Sequence, residues 1–125
     1  MTLVLDAGAL IALERNDRAM WVRLKDAVVN GDVPCTHGGV VGQVWRGGAR
    51  QFRLGSALKG IDIRPLDAKL GRAAGRLLGA ANKIDVIDAA IVLLAVDGDV
   101  IATSDVADLH ALAVAGGRHI ELVDT

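Results

Sequence analysis

The sequence predicts an α/β fold: a mainly parallel central sheet with helices on both faces. Three observations predict it. Short apolar segments alternate with helical ones along the whole chain. The strand candidates are apolar and β-branched rather than cleanly alternating, which is the pattern of strands buried on both sides. Finally, 125 residues make one domain spanning 1–125, able to bury roughly two thirds of its extended-state surface without disulfides or metal staples.

Each element has its own signal. Leu3-Val4-Leu5 is an apolar run ending at Asp6, and AGALIALERN behind it has helical composition. Met20, Trp21, Leu24, Ala27 and Val28 recur at helical spacing and mark a helix over 17–30, stopped by Gly31-Asp32. Val33 to Thr36 reads as a second strand, and Gly38 to Trp45 as a helix that Gly47-Gly48 ends. Gln51 to Lys59 is another short helix, and Ile61 to Arg64 a strand closed by Pro65. Asp67 to Ala81 is a helix with Gly71, Gly75 and Gly79 on one face, where the close approach of a neighbouring helix is expected. Asp85 to Val96 is an apolar helix, Asp99 to Ala102 a strand, Asp105 to Ala115 a helix and His119 to Val123 a last strand.

The net charge is −1, but it is unevenly distributed. Residues 33–83 hold nine basic and two acidic side chains, and residues 84–125 hold one and eight. No apolar run reaches the roughly 20 residues needed to span a bilayer, and the N-terminal segment lacks a basic leader, so a cytoplasmic protein is expected. The lone Cys35 removes any disulfide framework and fits a reducing compartment.

In open parallel sheets, ligands bind beyond the carboxyl ends of the strands. Asp6 closes the first strand, and Asp105 follows the strand Val100 to Ala102 through Thr103 and Ser104. Asp85 and Asp88 begin a helix three residues apart. Aspartate is also a favoured helix cap, so each of these carboxylates has a purely structural use. Converging carboxylates repel by about 4 kcal/mol per pair at 4 Å and an effective dielectric near 20. Such a cluster calls for a cation, and a hard, oxygen-seeking one such as Mg²⁺ or Mn²⁺ fits it. Thr103 or Ser104 adds a hydroxyl.

The segments LVLDAGALIALE, VVGQVWRGG, DVIDAAIVLLA and IATSDVADLHALA, in that order, resemble a PIN domain. More narrowly, they resemble a VapC-type ribonuclease toxin of a type II toxin–antitoxin pair. The resemblance implies a Rossmann-like parallel sheet, an acidic Mg²⁺ or Mn²⁺ site that cuts RNA, a cognate antitoxin and a homodimer. Carried over by motif, it implies catalytic, metal-binding roles for Asp6, Asp88 and Asp105, with Asp108 as an extra or alternative ligand. The pattern departs at Gln43, where such domains usually place a glutamate. The amide keeps an oxygen acceptor and loses the charge. Two readings follow: a branch of the family working with three aspartates, or a catalytically weakened RNA- or protein-binding module.

Arg46, Arg50 and Arg53 follow Gln43 and share one helical face if the Gly47-Gly48 break is mild. Such a ridge suits RNA phosphates or an acidic antitoxin segment. Trp45 beside it is expected to be buried or at a dimer interface, with base stacking as the alternative, and Trp21 is expected in the core. Cys35 and His37 have no further thiol to complete a zinc site. Nucleotide-loop and serine-nucleophile motifs are absent.

Overall fold

The structure, a computed structural model, describes residues 1–125. Five strands form one sheet: β1 (Leu3–Leu5), β2 (Cys35–His37), β3 (Asp62–Arg64), β4 (Val100–Thr103) and β5 (Glu121–Asp124), in the order β3-β2-β1-β4-β5. Every pairing is parallel. Seven helices connect them: α1 (Ala7–Glu14), α2 (Arg18–Val29), α3 (Gly38–Val44), α4 (Phe52–Leu58), α5 (Ala68–Ala81), α6 (Val86–Leu94) and α7 (Val106–Ala115), with a 3-10 turn at Ala49–Gln51.

β1, β2 and β4 are buried at every residue, whereas the edge strand β3 is exposed throughout. The largely apolar sequences of β1 and β4 follow from that placement, since helices cover both faces of the sheet's centre, while the buried Thr36 and His37 of β2 donate to the carbonyls of Leu5 and Ile87. α1 packs with α2, α3 and α4, while α5, α6 and α7 pack with one another. Right-handed crossovers put the two groups on opposite faces. A contiguous core of 28 buried residues, led by Leu3, Leu5, Leu10, Leu54, Ile91 and Ile101, fills the space between.

The chain first builds outward from β1 to β2 and β3, then returns to place β4 on the other side of β1. The strand order therefore reverses between β1 and β4, with Leu5 paired to Ala102 at their carboxyl ends. This is the switch point at which such sheets open a crevice.

Several expectations are corrected. β2 begins at Cys35 rather than Val33, because Pro34 has no N–H to give the ladder and offers only its carbonyl, to Asp62 N at 2.8 Å. β4 starts after Asp99, whose carboxylate accepts from Thr2 N and Val96 N instead. Gly71, Gly75 and Gly79 face open space, so within this chain no neighbouring helix uses that stripe. The face of α5 that packs inward carries Ala74 and Leu77. Trp45 is exposed rather than buried within the chain, whereas Trp21 packs against the core as expected, half-buried, its Nε1–H donating to Leu13 O at 3.1 Å. Val28 lies outside the buried stripe of α2.

Candidate metal centre

Three helix starts and one strand end bring the acidic residues together. Asp6 follows β1 and caps α1, its Oδ1 accepting from Ala9 N at 3.1 Å. The close packing of α1 on the loop after β4 depends on Gly8. A Cβ there would overlap the Ser104 hydroxyl and stand 3.0 Å from the Ser104 backbone nitrogen. Asp85 caps α6 through Ile87 N at 2.9 Å and Asp88 N at 3.1 Å. For Asp85 the structural use of an aspartate holds, and its side chain lies outside the acidic group. Asp105 behaves differently: it occupies the N-cap of α7 yet makes no side-chain capping bond. Its backbone N–H donates to Thr103 Oγ1 at 2.9 Å, and its carboxylate lies beside Asp108.

Asp88, Asp105 and Asp108 each offer a carboxylate oxygen within 4.8 Å of the others, a group able to hold a metal ion. Asp108, the extra candidate from the sequence, is thus a full member. Asp6 stands behind this group, close enough to act on Asp88 through its charge.

The electrostatics follow from the crowding. Burial, then the charges of Asp85, Asp105, Asp6 and Asp108, push the Asp88 carboxyl up to about 6. Burial also raises Asp6, against hydrogen bonds from the Thr103 hydroxyl and the N–H groups of Ala9, Gly8 and Ser104. Asp105 is raised by partial desolvation and by Asp108 beside it. Asp108 is lowered instead, because Lys83 Nζ lies 3.2 Å from its Oδ1. Carboxylates held this close hold protons more tightly than isolated ones, or else need a cation. Oxygen-only donors of this kind fit a hard divalent ion.

Lys83 was not anticipated from the sequence, although it lies two residues before Asp85 in NKIDVID. His37 was considered only as a metal ligand. It is fully buried, accepts from Gly39 N at Nδ1 (3.0 Å) and donates from Nε2 to Ile87 O (3.0 Å). This neutral tautomer caps α3 and ties it to the residue before Asp88.

Gln43 is exposed on α3, and α3 adds no carboxylate to the centre. The basic ridge is not one helical face. The chain leaves α3 at Val44, and Gly47 and Gly48 take φ values of +82° and +90°, a conformation that favours glycine. Arg46 Nη1 turns back to the carbonyls of Gly42 and Trp45, Arg50 lies exposed in the 3-10 turn, and Arg53 on α4 lines a groove with Arg18, Trp21 and Lys25 of α2. Gln51 organises this turn. Its Oε1 accepts from Arg46 N and Gly47 N, both at 2.8 Å, and its Nε2 donates to Val44 O (2.8 Å) and Glu14 Oε1 (2.6 Å).

Neither a protein-family model nor a curated protein matches this chain in sequence. Among solved structures, it is similar to a chain of the VapBC2 complex from Rickettsia felis, which was solved bound to a DNA fragment from their promoter. The TM-score is 0.69 at 13% identity, and the match covers 100% of this chain and 99% of that one. At that identity the likeness is one of fold, and the PIN-type α/β fold implied by the sequence motifs is the fold of this chain. None of its helices is long and apolar enough to cross a membrane.

Proposed function

We propose that this chain is a single-domain, VapC-type endoribonuclease, dependent on Mg²⁺ or Mn²⁺ and restrained by a cognate antitoxin. The observation that carries the reading is the convergence of Asp88, Asp105 and Asp108 within 4.8 Å at the switch point of a PIN-type parallel sheet.

Asp88, Asp105 and Asp108 would hold the metal, with Asp6 behind them adding negative charge. When bound, the ion would act as a Lewis acid that lowers the pKa of water and offsets charge on the phosphoryl oxygens. The protein's part is positional. Near and below pH 6, where Asp88 holds a proton, a bound cation would displace it by offsetting the burial and the neighbouring charges that raise this carboxyl. The fixed N–H of Asp105 on Thr103 keeps the start of α7 in register with the end of β4. Lys83 balances Asp108 and supplies a cation close to where a phosphodiester enters. By family resemblance, the products carry 5′-phosphate and 3′-hydroxyl ends.

The groove of about 620 Å³ is lined by the cations Arg18, Lys25 and Arg53 together with the apolar Trp21 and Val22. These features suit an acidic, amphipathic antitoxin segment. A homodimer and a cytoplasmic location complete the reading.

The test is cleavage of a labelled RNA by wild type, Asp6→Asn and Asp88→Asn with Mn²⁺ or with EDTA. Cleavage by wild type alone, only with the ion, is expected. Equal cleavage by all three, insensitive to EDTA, contradicts the reading. One observation favours a second reading: α3 presents the exposed amide of Gln43 where a carboxylate is expected. If only a Gln43→Glu variant binds Mn²⁺ and cuts RNA, the natural chain is a binding module.

A further inference from the structure

Two of the three aromatic side chains in this protein lie on one exposed surface. Trp45 is 43% exposed and Phe52 79%, and both line an open groove of about 440 Å³ with Gly55, Ser56 and Lys59. Phe52, Gly55, Ser56 and Lys59 recur three and four residues apart, so they share one face of α4 and its C-terminus. The indole packs against that helix at Gly55, where a Cβ would stand 3.6 Å from Cη2 of Trp45, an ordinary van der Waals contact. The turn that presents Trp45 is held by the four hydrogen bonds of Gln51.

The charge around this surface has one sign. The Arg46 guanidinium is anchored beside the groove on Gly42 O at 3.2 Å and Trp45 O at 2.7 Å, and Lys59 lines the groove itself. No acidic residue lines the groove, and none occurs between Val33 and Ile61. Glu14 comes near only through Gln51, and its Oε1 is engaged by the Gln51 amide at 2.6 Å.

We infer that Trp45 and Phe52 form a stacking platform for unpaired bases of single-stranded RNA, with Arg46 and Lys59 contacting its phosphates. Aromatic faces accept any base, and flanking cations follow the backbone. A second copy of this chain fits less well, because a two-fold contact would bring two patches of the same positive sign together. An amphipathic peptide helix would need aliphatic side chains against which to bury its apolar face, and the apolar lining of this groove is two planar aromatics alone. The inference rests on the ribonuclease reading for its substrate class. α3 spans about 10 Å between the His37 bond beside Asp88 and Trp45, so the platform sits apart from the carboxylates. It holds substrate and does not act on the reacting phosphate, so its loss raises KM and leaves kcat.

The test uses an unstructured 12-nucleotide RNA and the full chain. In a Trp21→Phe protein also carrying Asp6→Asn, Trp45 is the sole indole, and RNA is expected to quench it. If Trp21→Phe impairs folding, the difference between the Asp6→Asn protein and its Trp45→Phe derivative gives the same readout. Trp45→Ala and Phe52→Ala should each weaken RNA binding by about tenfold or more, and Lys59→Gln should lower the salt slope by about one. In the active protein, the two aromatic substitutions should raise KM by a similar factor with kcat unchanged. RNA binding, quenching and KM that ignore Trp45 and Phe52 would overturn the platform, even where cleavage itself upholds the nuclease reading. Binding with quenching but no cleavage upholds the platform while the nuclease reading fails. A dimer that dissociates on Phe52→Ala with RNA affinity unchanged, or an acidic peptide that binds there while RNA does not, would also overturn it.

Discussion

The Nε2–H of His37 donates to the carbonyl of Ile87 at 3.0 Å, joining the end of β2 to the residue before Asp88. One buried imidazole therefore sets the position of the α6 start relative to the sheet, while its Nδ1 caps α3.

Burial holds His37 neutral and pushes its pKa below 6.5, against the opposing pull of the Ile87 carbonyl. An unfolded histidine takes up its proton near pH 6.5, before the folded one does. Its contribution to stability is thus present above pH 6.5 and lost as pH falls. His37→Ala should cost about 1–3 kcal/mol at pH 7.5, because it orphans buried groups. It should also remove part of the loss of stability between pH 6.5 and 5. Urea unfolding at pH 7.5 and 5.5 checks both, and an unchanged pH dependence would contradict the assignment.

Asp88 acts in the opposite direction. Its carboxyl rises from 3.8 to about 6 through burial and its acidic neighbours. The folded state then binds the proton more tightly, so this contribution is complete below 3.8 and lost as pH rises through about 6. Asp88→Asn should stabilise the metal-free protein at pH 7 and flatten its stability across that window. Saturating Mn²⁺ should raise the wild-type Tm at pH 7 and leave it nearly unchanged at pH 4.5. Thermal unfolding with and without the ion checks this.

Lys83 competes with any cation for Asp108, since its Nζ lies 3.2 Å from Oδ1. The pair is exposed and its strength correspondingly small, so Lys83→Met should tighten Mn²⁺ binding by only about two- to fivefold. RNA cleavage should weaken in the same variant, because the cation beside the entering phosphate is gone. Calorimetry and a cleavage time course on one preparation separate the two effects.

Gln51→Leu leaves Arg46 N, Gly47 N and Val44 O without their partner. A cost of about 2–4 kcal/mol is expected, together with faster hydrogen exchange at the two N–H groups. Denaturant unfolding and exchange rates check this.

The parallel sheet was legible because β1 and β4 are buried and their sequences are almost wholly apolar, whereas the strand order came only with the structure. Asp6 and Asp105 were legible because each follows a strand that ends at the switch point. The acidic excess of residues 84–125 was a poorer guide to position. Asp97 and Asp99 spend their oxygens on the N–H groups of His119, Thr2 and Val96, at the amino end of β4 and away from the centre. The basic excess misled in the same way, since two glycines at positive φ send Arg46 and Arg53 to different surfaces. Lys83 and His37 were hidden because their roles depend on contacts 25 and 50 residues away, and local spacing carries no trace of those.

The central claim is that Asp88, Asp105 and Asp108 hold a divalent ion together. Calorimetric titration of Mn²⁺ at pH 7 into wild type and into the Asp88→Asn, Asp105→Asn double variant measures this. Saturable binding in the wild type, with proton release growing as the titration is moved down toward pH 6, and none in the variant is the predicted result. No binding by the wild type, or equal binding by both, would contradict it.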